Sequence, residues 1–172
     1  MSNIGDLYNS LDNYHRFRHK KGGGGAYGIH KGFNKPKAGS LVSTCSDIND
    51  WILKYFDFQA VKTVLDAGCG VGGTTFLIAK ENRCFVEGIT LSDSELKSAN
   101  ANKENLTVKN CSFSLHDMGK PLNKKYDLIF ALESIKHVTD LDQTILNLSS
   151  SLSEIGRLVI IEDVATEKIS EN

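Results

Sequence analysis

Residues 61–73 read VKTVLDAGCGVGG, and the way this stretch divides decides the fold. Val61, Thr63, Val64 and Leu65 favour a short extended strand. The glycines that follow (Gly68, Gly70, Gly72 and Gly73) end it and permit a left-handed turn. TTFLIAKEN, residues 74–82, then reads as a helix. Strand, glycine turn and helix make the first βα unit of a nucleotide-binding sheet. Gly68, Gly70 and Gly73 satisfy the G-x-G-x-x-G spacing of a dinucleotide site, but Asp66 and Gly72 do not belong to that pattern. A pyrophosphate would use the free N–H groups of the helix N-terminus, and a carboxylate two residues ahead of the first glycine repels it. The same carboxylate suits a ligand that carries an ammonium group.

Further along the chain, strand and helix patterns alternate. CFVEGITL (84–91), TVKNCSFSLHD (107–117), YDLIFALES (126–134) and RLVIIED (157–163) read as strands, and DSELKSANANKEN (93–105) as a helix. In DLDQTILNLSSSLSEIG (140–156), Leu141, Ile145, Leu148 and Leu152 form a helical stripe, with Gly156 placed to cap its C-terminus. Ahead of the first strand, residues 41–58 carry Ile48, Trp51, Ile52 and Tyr55 at helical spacing, with Asp47 in the first turn. This rhythm predicts an α/β fold: a doubly wound, mostly parallel, Rossmann-like sheet covered on both faces. Ligands of such sheets bind beyond the carboxyl ends of the strands. That rule alone selects residues 66–73, 90–95, 117–118 and 131–137.

Residues 1–40 differ: a short helix is expected over roughly residues 3–20, then a glycine-rich lid segment, with the core domain over 41–172. At 172 residues with 40% hydrophobic and 24% charged residues, the chain suits a globular domain with a buried core. A net charge of -1 gives no field to recruit nucleic acid or an anionic membrane, and no apolar run is long enough to span a bilayer. The N-terminus lacks the apolar core of a secretory signal, so a cytoplasmic location is expected. Cys45, Cys69, Cys84 and Cys111 form no C-x-x-C pair, which argues against a zinc site and a disulfide framework. His15 and His19 have the spacing of a metal pair, but Arg16, Arg18, Lys20 and Lys21 around them disfavour a cation, so no metal is expected.

VLDAGCGVGGTT resembles the first motif of the class I methyltransferases, which use S-adenosylmethionine (SAM). Four further stretches resemble the same family in order. VEGITLSDSEL is similar to the second-strand motif G-[IL]-T-L-S-x-x-Q of the sterol, tocopherol and cyclopropane-fatty-acid branch, and LHDM to the adenine-contacting motif. YDLIFALESIKHV resembles the fourth-strand motif, and LSEIGRLVIIED the fifth-strand "LKPGGRLVI". The similarity covers roughly residues 41–163.

The resemblance implies a SAM-dependent methyltransferase acting on a small molecule, lipid-like or isoprenoid by its branch. It implies that the backbone of Gly68, Cys69, Gly70 and Gly72 lies along the methionine part, with Asp66 facing the ammonium. Thr90 and Leu91 would flank the ribose, and Glu95, where the branch usually has Gln, would accept from the ribose hydroxyls. Asp117 would accept from the adenine amine, the Met118 backbone would pair with the ring, and the Ala131 carbonyl would line the methionine end. Taken singly, Asp66 also reads as a capping carboxylate, Glu95 as a solvated first-turn residue and Asp117 as a turn residue. AYGIHKGF resembles the H-x-G-Y-W element that closes over SAM, which implies a SAM contact for Tyr27 and an orienting role for His30. Glu133, His137 and His30 are the candidate catalytic groups if the acceptor must lose a proton.

Two departures stand out. Relatives of the branch read E-S-x-E-H, whereas residues 133–137 read ESIKH, with Lys136 in place of the second acid. Relatives also add two strands after the fifth, which this chain lacks; it is expected to be either a fragment or a minimal enzyme that takes cover from a partner as a homodimer. Two other classes compete: a noncatalytic SAM-binding domain, and an NAD(P)-dependent oxidoreductase, which Asp66 opposes.

Overall fold

The computed structural model describes residues 51–163. Five strands alternate with helices: β1 (Thr63–Ala67), α1 (Gly73–Glu81), β2 (Phe85–Thr90), α2 (Asp93–Leu106), β3 (Cys111–Leu115), β4 (Tyr126–Leu132), α3 (Leu141–Ser150) and β5 (Leu152–Ile161). A single 3₁₀ turn, Ile135–His137, leads out of β4. The strands form one sheet in the order β3-β2-β1-β4-β5, and every pairing is parallel. The doubly wound sheet expected from the alternating pattern is therefore present. Strand order reverses between β1 and β4, which opens a crevice at their carboxyl ends. The short helix and lid segment of residues 1–40 and the first part of the helix at 41–58 lie outside the described residues; residues 51–55 are helical.

Two apolar layers hold the sheet. On one face Val64, Val86, Leu128 and Phe130 pack with Phe76, Ile78 and Ala79 of α1, and Ile52 joins them. On the other, Leu65, Ile89, Ile129 and Ala131 pack with Leu148 of α3 and with Met118 and Ile135 from the loops. β4 is buried along nearly its whole length because both faces are covered. Helix ends follow local chemistry. Ser92 caps α2 by accepting from Glu95 N (3.2 Å), and Asp140 caps α3 by accepting from Gln143 N (2.9 Å).

The structure moves several boundaries: Thr107, read as the start of the third strand, closes α2 with φ +54 and β3 begins only at Cys111, and the end of α3 shifts as well. α3 ends at Ser150, where Ser151 Oγ donates to Asn147 O at 2.9 Å, and Leu152 already pairs with Tyr126 as the first residue of β5. Leu152 still packs on the α3 side of the sheet, so its apolar character fits both readings. Gly156 is thus no helix cap. It lies within β5 beside a register shift, where an added Cβ would come within 2.7 Å of the Tyr126 carbonyl oxygen.

Opposite the crevice, Asp127 ties three strands. Its Oδ2 accepts from Lys62 N (2.9 Å), Thr63 N (3.1 Å) and Thr63 Oγ1 (3.3 Å), and its Oδ1 from Ser153 Oγ (2.9 Å). Burial alone would raise its pKa, but these donors outweigh it and hold the carboxyl below the usual aspartate range. A depressed carboxylate contributes stability that is present above the ordinary aspartate pKa of about 4 and lost as pH falls through the native value. Asp127→Ala should destabilise the domain by about 2 kcal/mol at neutral pH. The gap to wild type should close in acid, measured by urea unfolding across pH.

Candidate functional site

The glycine turn is built by three close approaches. Gly68 N and Cys69 N both donate to Ile89 O at 2.9 Å, which folds the turn against the end of β2. Gly68 (φ +86) runs beneath Ser134, whose Cβ lies 2.4 Å from where a Cβ on Gly68 would sit. Ser134 Oγ in turn donates to Ala67 O at 2.7 Å, joining the loop after β4 to the end of β1. Gly72 (φ +94) precedes α1 and is covered by the rings of Phe113 and Phe76, each 2.7 Å from its Cβ position. Its side-chain direction is filled by the core. Gly70 (φ +54) is different, because the nearest atom to its Cβ position is Glu95 Oε1 at 3.9 Å. Among the described residues the backbone of Gly70 is therefore open beside a carboxylate, a cradle that a side chain would fill.

Carboxylates stand at the ends of three successive strands. Asp66, at the end of β1, is 3% exposed and accepts from Thr75 Oγ1 at 2.6 Å. Burial pushes its pKa up to about 6, and the Thr75 hydrogen bonds only partly oppose this. The backbone N–H of Thr75, in the first turn of α1, is the second of these donors, so the capping reading holds for part of its bonding. Glu95 is buried rather than solvated. The sequence SDSE, residues 92–95, has the form of a capping box, in which the glutamate would return to the Ser92 N–H. Instead Ser92 N donates to Thr90 Oγ1 (3.1 Å) and Thr90 Oγ1 donates to Glu95 Oε2 (2.6 Å). The threonine satisfies the cap and leaves the carboxylate turned toward Gly70. Leu91, which follows β2, is half-buried.

Asp117 closes a turn after β3. Its Oδ1 accepts from Gly119 N (2.8 Å) and its carbonyl from Lys120 N (2.9 Å), so the turn-residue reading holds for one of its oxygens. Oδ2 makes no hydrogen bond among the described residues. Met118 is buried, with Cε 3.2 Å from the Cβ position of Gly68. His116, one residue earlier, donates its N–H to Thr90 O at 3.0 Å, while its Nε2 is the buried side-chain atom without a partner among the described residues. Such an orphan marks a place for a further polar group.

Cys69 Sγ is packed against β2, 2.9 Å from the Cβ position of Gly88, and lies 3.6 Å from Gly70 O. Burial and the neighbouring charges of Asp66 and Glu95 push its thiol pKa well up, so only its backbone is available. Ala131 packs in the core of the α3 face, which likewise leaves its main chain. Glu133, just past β4, has φ +49, a strained backbone for a non-glycine residue, with its N–H donating to Ile161 O at 2.7 Å. His137 ends the 3₁₀ turn. Burial first and Lys136 second push its pKa down, opposed by Glu162, so the imidazole is neutral at pH 7. Lys136 forms an ion pair with Glu162 (2.9 Å), which also accepts from Lys136 N at 3.1 Å. The lysine that replaces the expected acid is therefore occupied by the end of β5. Tyr27 and His30, like His15 and His19, lie outside the described residues.

The structure brings Asp66, Gly68, Gly70, Glu95 and Met118 around one turn, with Asp117 at the next strand end. Sequence reasoning missed Phe113 and His116, and it selected Ser134 by its place after β4 without its contact. Ser134 sits inside the fourth-strand motif, but its contact with Gly68 depends on β1 and β4 being neighbours. Three acceptor carboxylates, an open glycine backbone and a buried imidazole nitrogen fit a ligand with amine and hydroxyl donors and no exposed anion in the glycine turn. Among the described residues no cluster of His, Cys, Asp or Glu forms a metal site, and no helix is long and apolar enough to cross a membrane.

Comparison with known proteins adds the following. A family model described as a methyltransferase domain matches residues 59–172. Norajmaline N-methyltransferase of Rauvolfia serpentina is 34% identical over 133 residues, covering 68% of this chain and 44% of that protein. The chloroplastic tocopherol O-methyltransferase of Arabidopsis thaliana is 33% identical over 107 residues, covering 60% of this chain and 30% of that protein. The chain thus spans less than half the length of both relatives. Among solved structures, geranyl diphosphate methyltransferase in complex with GPP and sinefungin superposes with a TM-score of 0.76 at 23% identity, covering 91% of this chain and 64% of that one. The [4+2]-cyclase SpnF superposes with a TM-score of 0.82 at 20% identity, covering 92% and 59%. At such identities the structural likeness shows the fold.

Proposed function

The chain belongs to the methyltransferase-domain family, and we propose that it binds S-adenosylmethionine in the crevice and transfers its methyl group to a small-molecule acceptor. The observation that carries this reading is the set of carboxylates at or just beyond the ends of β1, β2 and β3 (Asp66, Glu95 and Asp117), with Glu95 beside a Gly70 backbone that is open among the described residues. The residues fit the cofactor on this structure's own terms. Asp66 is a buried carboxylate in need of a cation, Glu95 is an acceptor 3.9 Å from the Cβ position of Gly70, and Asp117 Oδ2 has no partner among the described residues. When bound, the cofactor supplies a methyl group made electrophilic by its sulfonium.

The chain's part is binding and orientation. Asp66 takes the ammonium, the main chain of Gly68, Cys69 and Gly70 follows the methionine portion toward the Ala131 carbonyl, and Gly72 shapes the turn. Thr90 and Leu91 flank the ribose while Glu95 accepts from its diol. Asp117 accepts from the adenine amine, with the Met118 main chain against the ring. On the acceptor side, the neutral His137 would take a proton from an O–H or N–H group, with Glu133, just past β4, as the neighbouring acid. By their resemblance to the H-x-G-Y-W element, Tyr27 and His30 are assigned to the same site. The acceptor is small and lipid-like or isoprenoid in class. A cytoplasmic location and a homodimer, both expected from the sequence, belong to the same proposal.

A second reading is a SAM-binding domain that transfers no methyl group. The observation in its favour is that β5, at the sheet edge, is half-exposed along its length, so that side of the crevice is open among the described residues. Methyl-labelled SAM offered with phenolic, tertiary-amine and isoprenoid acceptors separates the two. The proposal expects label in a small-molecule product and loss of roughly 100-fold or more in rate for His137→Ala when the acceptor is protonated. Cofactor binding with no labelled product from any acceptor would favour the second reading.

A further inference from the structure

The turn that carries Asp117 and Met118 is fixed from α3 as well as from within. Asn147 is 8% exposed, and its Nδ2 donates to Gly119 O at 2.7 Å. Gln143, one turn earlier, donates from Nε2 to Asn147 Oδ1 at 3.1 Å, which sets the amide with its donor toward the loop. Ser151 Oγ donates to Asn147 O at 2.9 Å, so the helix end bearing Asn147 is itself secured. On the loop side, Gly119 N returns to Asp117 Oδ1 at 2.8 Å. The two bonds hold Gly119 by its carbonyl and its N–H at once, and the second fixes the carboxyl of Asp117. Thr144, also on α3, lies 3.5 Å from the Cβ position of Gly119 and closes the remaining side. Residues 116–125 join β3 to β4 with no helix of their own. A connection of this kind owes its conformation to what it bonds to.

We infer that Asn147, oriented by Gln143, is a positioning residue for nucleobase recognition: it holds the 117–119 turn so that Asp117 Oδ2 faces the exocyclic amine of the cofactor. The inference rests on the proposed reading of the crevice. Asn147 touches no ligand and acts through Gly119 alone. Its removal leaves the turn free to reorient, and the ordering cost then falls on binding.

The test is calorimetric titration with S-adenosylhomocysteine and with its hypoxanthine counterpart, whose exocyclic amine is replaced by a carbonyl. Wild type should prefer the adenine ligand. Asn147→Ala should weaken that ligand about five- to tenfold, the worth of one hydrogen bond, while the hypoxanthine ligand changes little, so the preference shrinks toward one. Gln143 is exposed, and Gln143→Ala should shrink it by about twofold, a disturbed orientation rather than a lost bond; this variant decides the matter if Asn147→Ala does not fold. Asp127→Ala, at the far end of the sheet, should leave the preference intact despite its lower stability. Equal weakening of both ligands in the Asn147 and Gln143 variants would reduce Asn147 to a structural role and overturn the inference. Failure of wild type to bind either ligand would instead overturn the reading of the crevice itself, and the inference with it.

Discussion

Asp66→Asn is expected to weaken SAM binding by about 30-fold or more without lowering the stability of the empty protein. The two halves of this result have one cause. Asp66 is 3% exposed, and burial lifts its pKa from 3.8 to about 6. A carboxylate whose native pKa is raised binds its proton more tightly when folded, so stability is highest where it is protonated and falls as pH rises from about 4 to about 6. At pH 7 the ionised group costs up to about 3 kcal/mol. Asparagine removes that cost and keeps an oxygen for the Thr75 hydroxyl, so the melting temperature should hold or rise. A ligand ammonium is the partner that the buried charge lacks, and removing one member of such a pair costs about 2–5 kcal/mol of affinity. Calorimetry and thermal unfolding on the same samples check both halves. For wild type, affinity should also fall as pH drops below about 6, where Asp66 takes up its proton. A variant that loses stability while keeping its affinity would assign Asp66 to the fold rather than to the ligand.

Gly68→Ala is expected to abolish binding and to destabilise the domain by about 3 kcal/mol. A side chain at φ +86 costs about 1–2 kcal/mol in backbone energy alone. The added methyl would also stand 2.4 Å from Ser134 Cβ, and moving Ser134 away breaks its 2.7 Å bond to Ala67 O. Combining Gly68→Ala with Ser134→Gly should recover part of the stability, because the contact is removed while the backbone strain stays. Urea unfolding of the four proteins of this cycle measures the coupling. Simple additivity would mean that the two residues do not press on each other. Binding should not return in the double variant, since the bond from the loop after β4 to the end of β1 is still missing.

The sheet was legible because each strand carries its own evidence: β-branched and apolar runs closed by glycine or polar residues, with helical segments between them. The end of α3 was not, because Leu152 continues the helical stripe of Leu148 and its role as the first residue of β5 depends on Tyr126 beside it. The site divides in the same way. Asp66, Glu95 and Asp117 were legible by their place at strand ends, where the topology puts ligands. That Gly72 is glycine for the ring of Phe113 and that Ser134 lies on Gly68 were not, since each is a contact between segments far apart in the chain, and the turning of Glu95 by Thr90 is a local choice between two donors that the residue pattern leaves open. Asn147 shows the limit most plainly. In the sequence it reads as one polar position in a helix and the start of a glycosylation pattern, whereas in the fold its amide holds the turn of Asp117.

The central claim is that the crevice holds an amino-acid-bearing nucleoside rather than a dinucleotide. Isothermal titration of the chain with SAM and, separately, with NAD tests it most directly. One saturable SAM site in the ~1 μM–1 mM range usual for enzyme ligands, with no heat from NAD, is the predicted result. Saturable binding of NAD, with none of SAM at millimolar concentration, would contradict it.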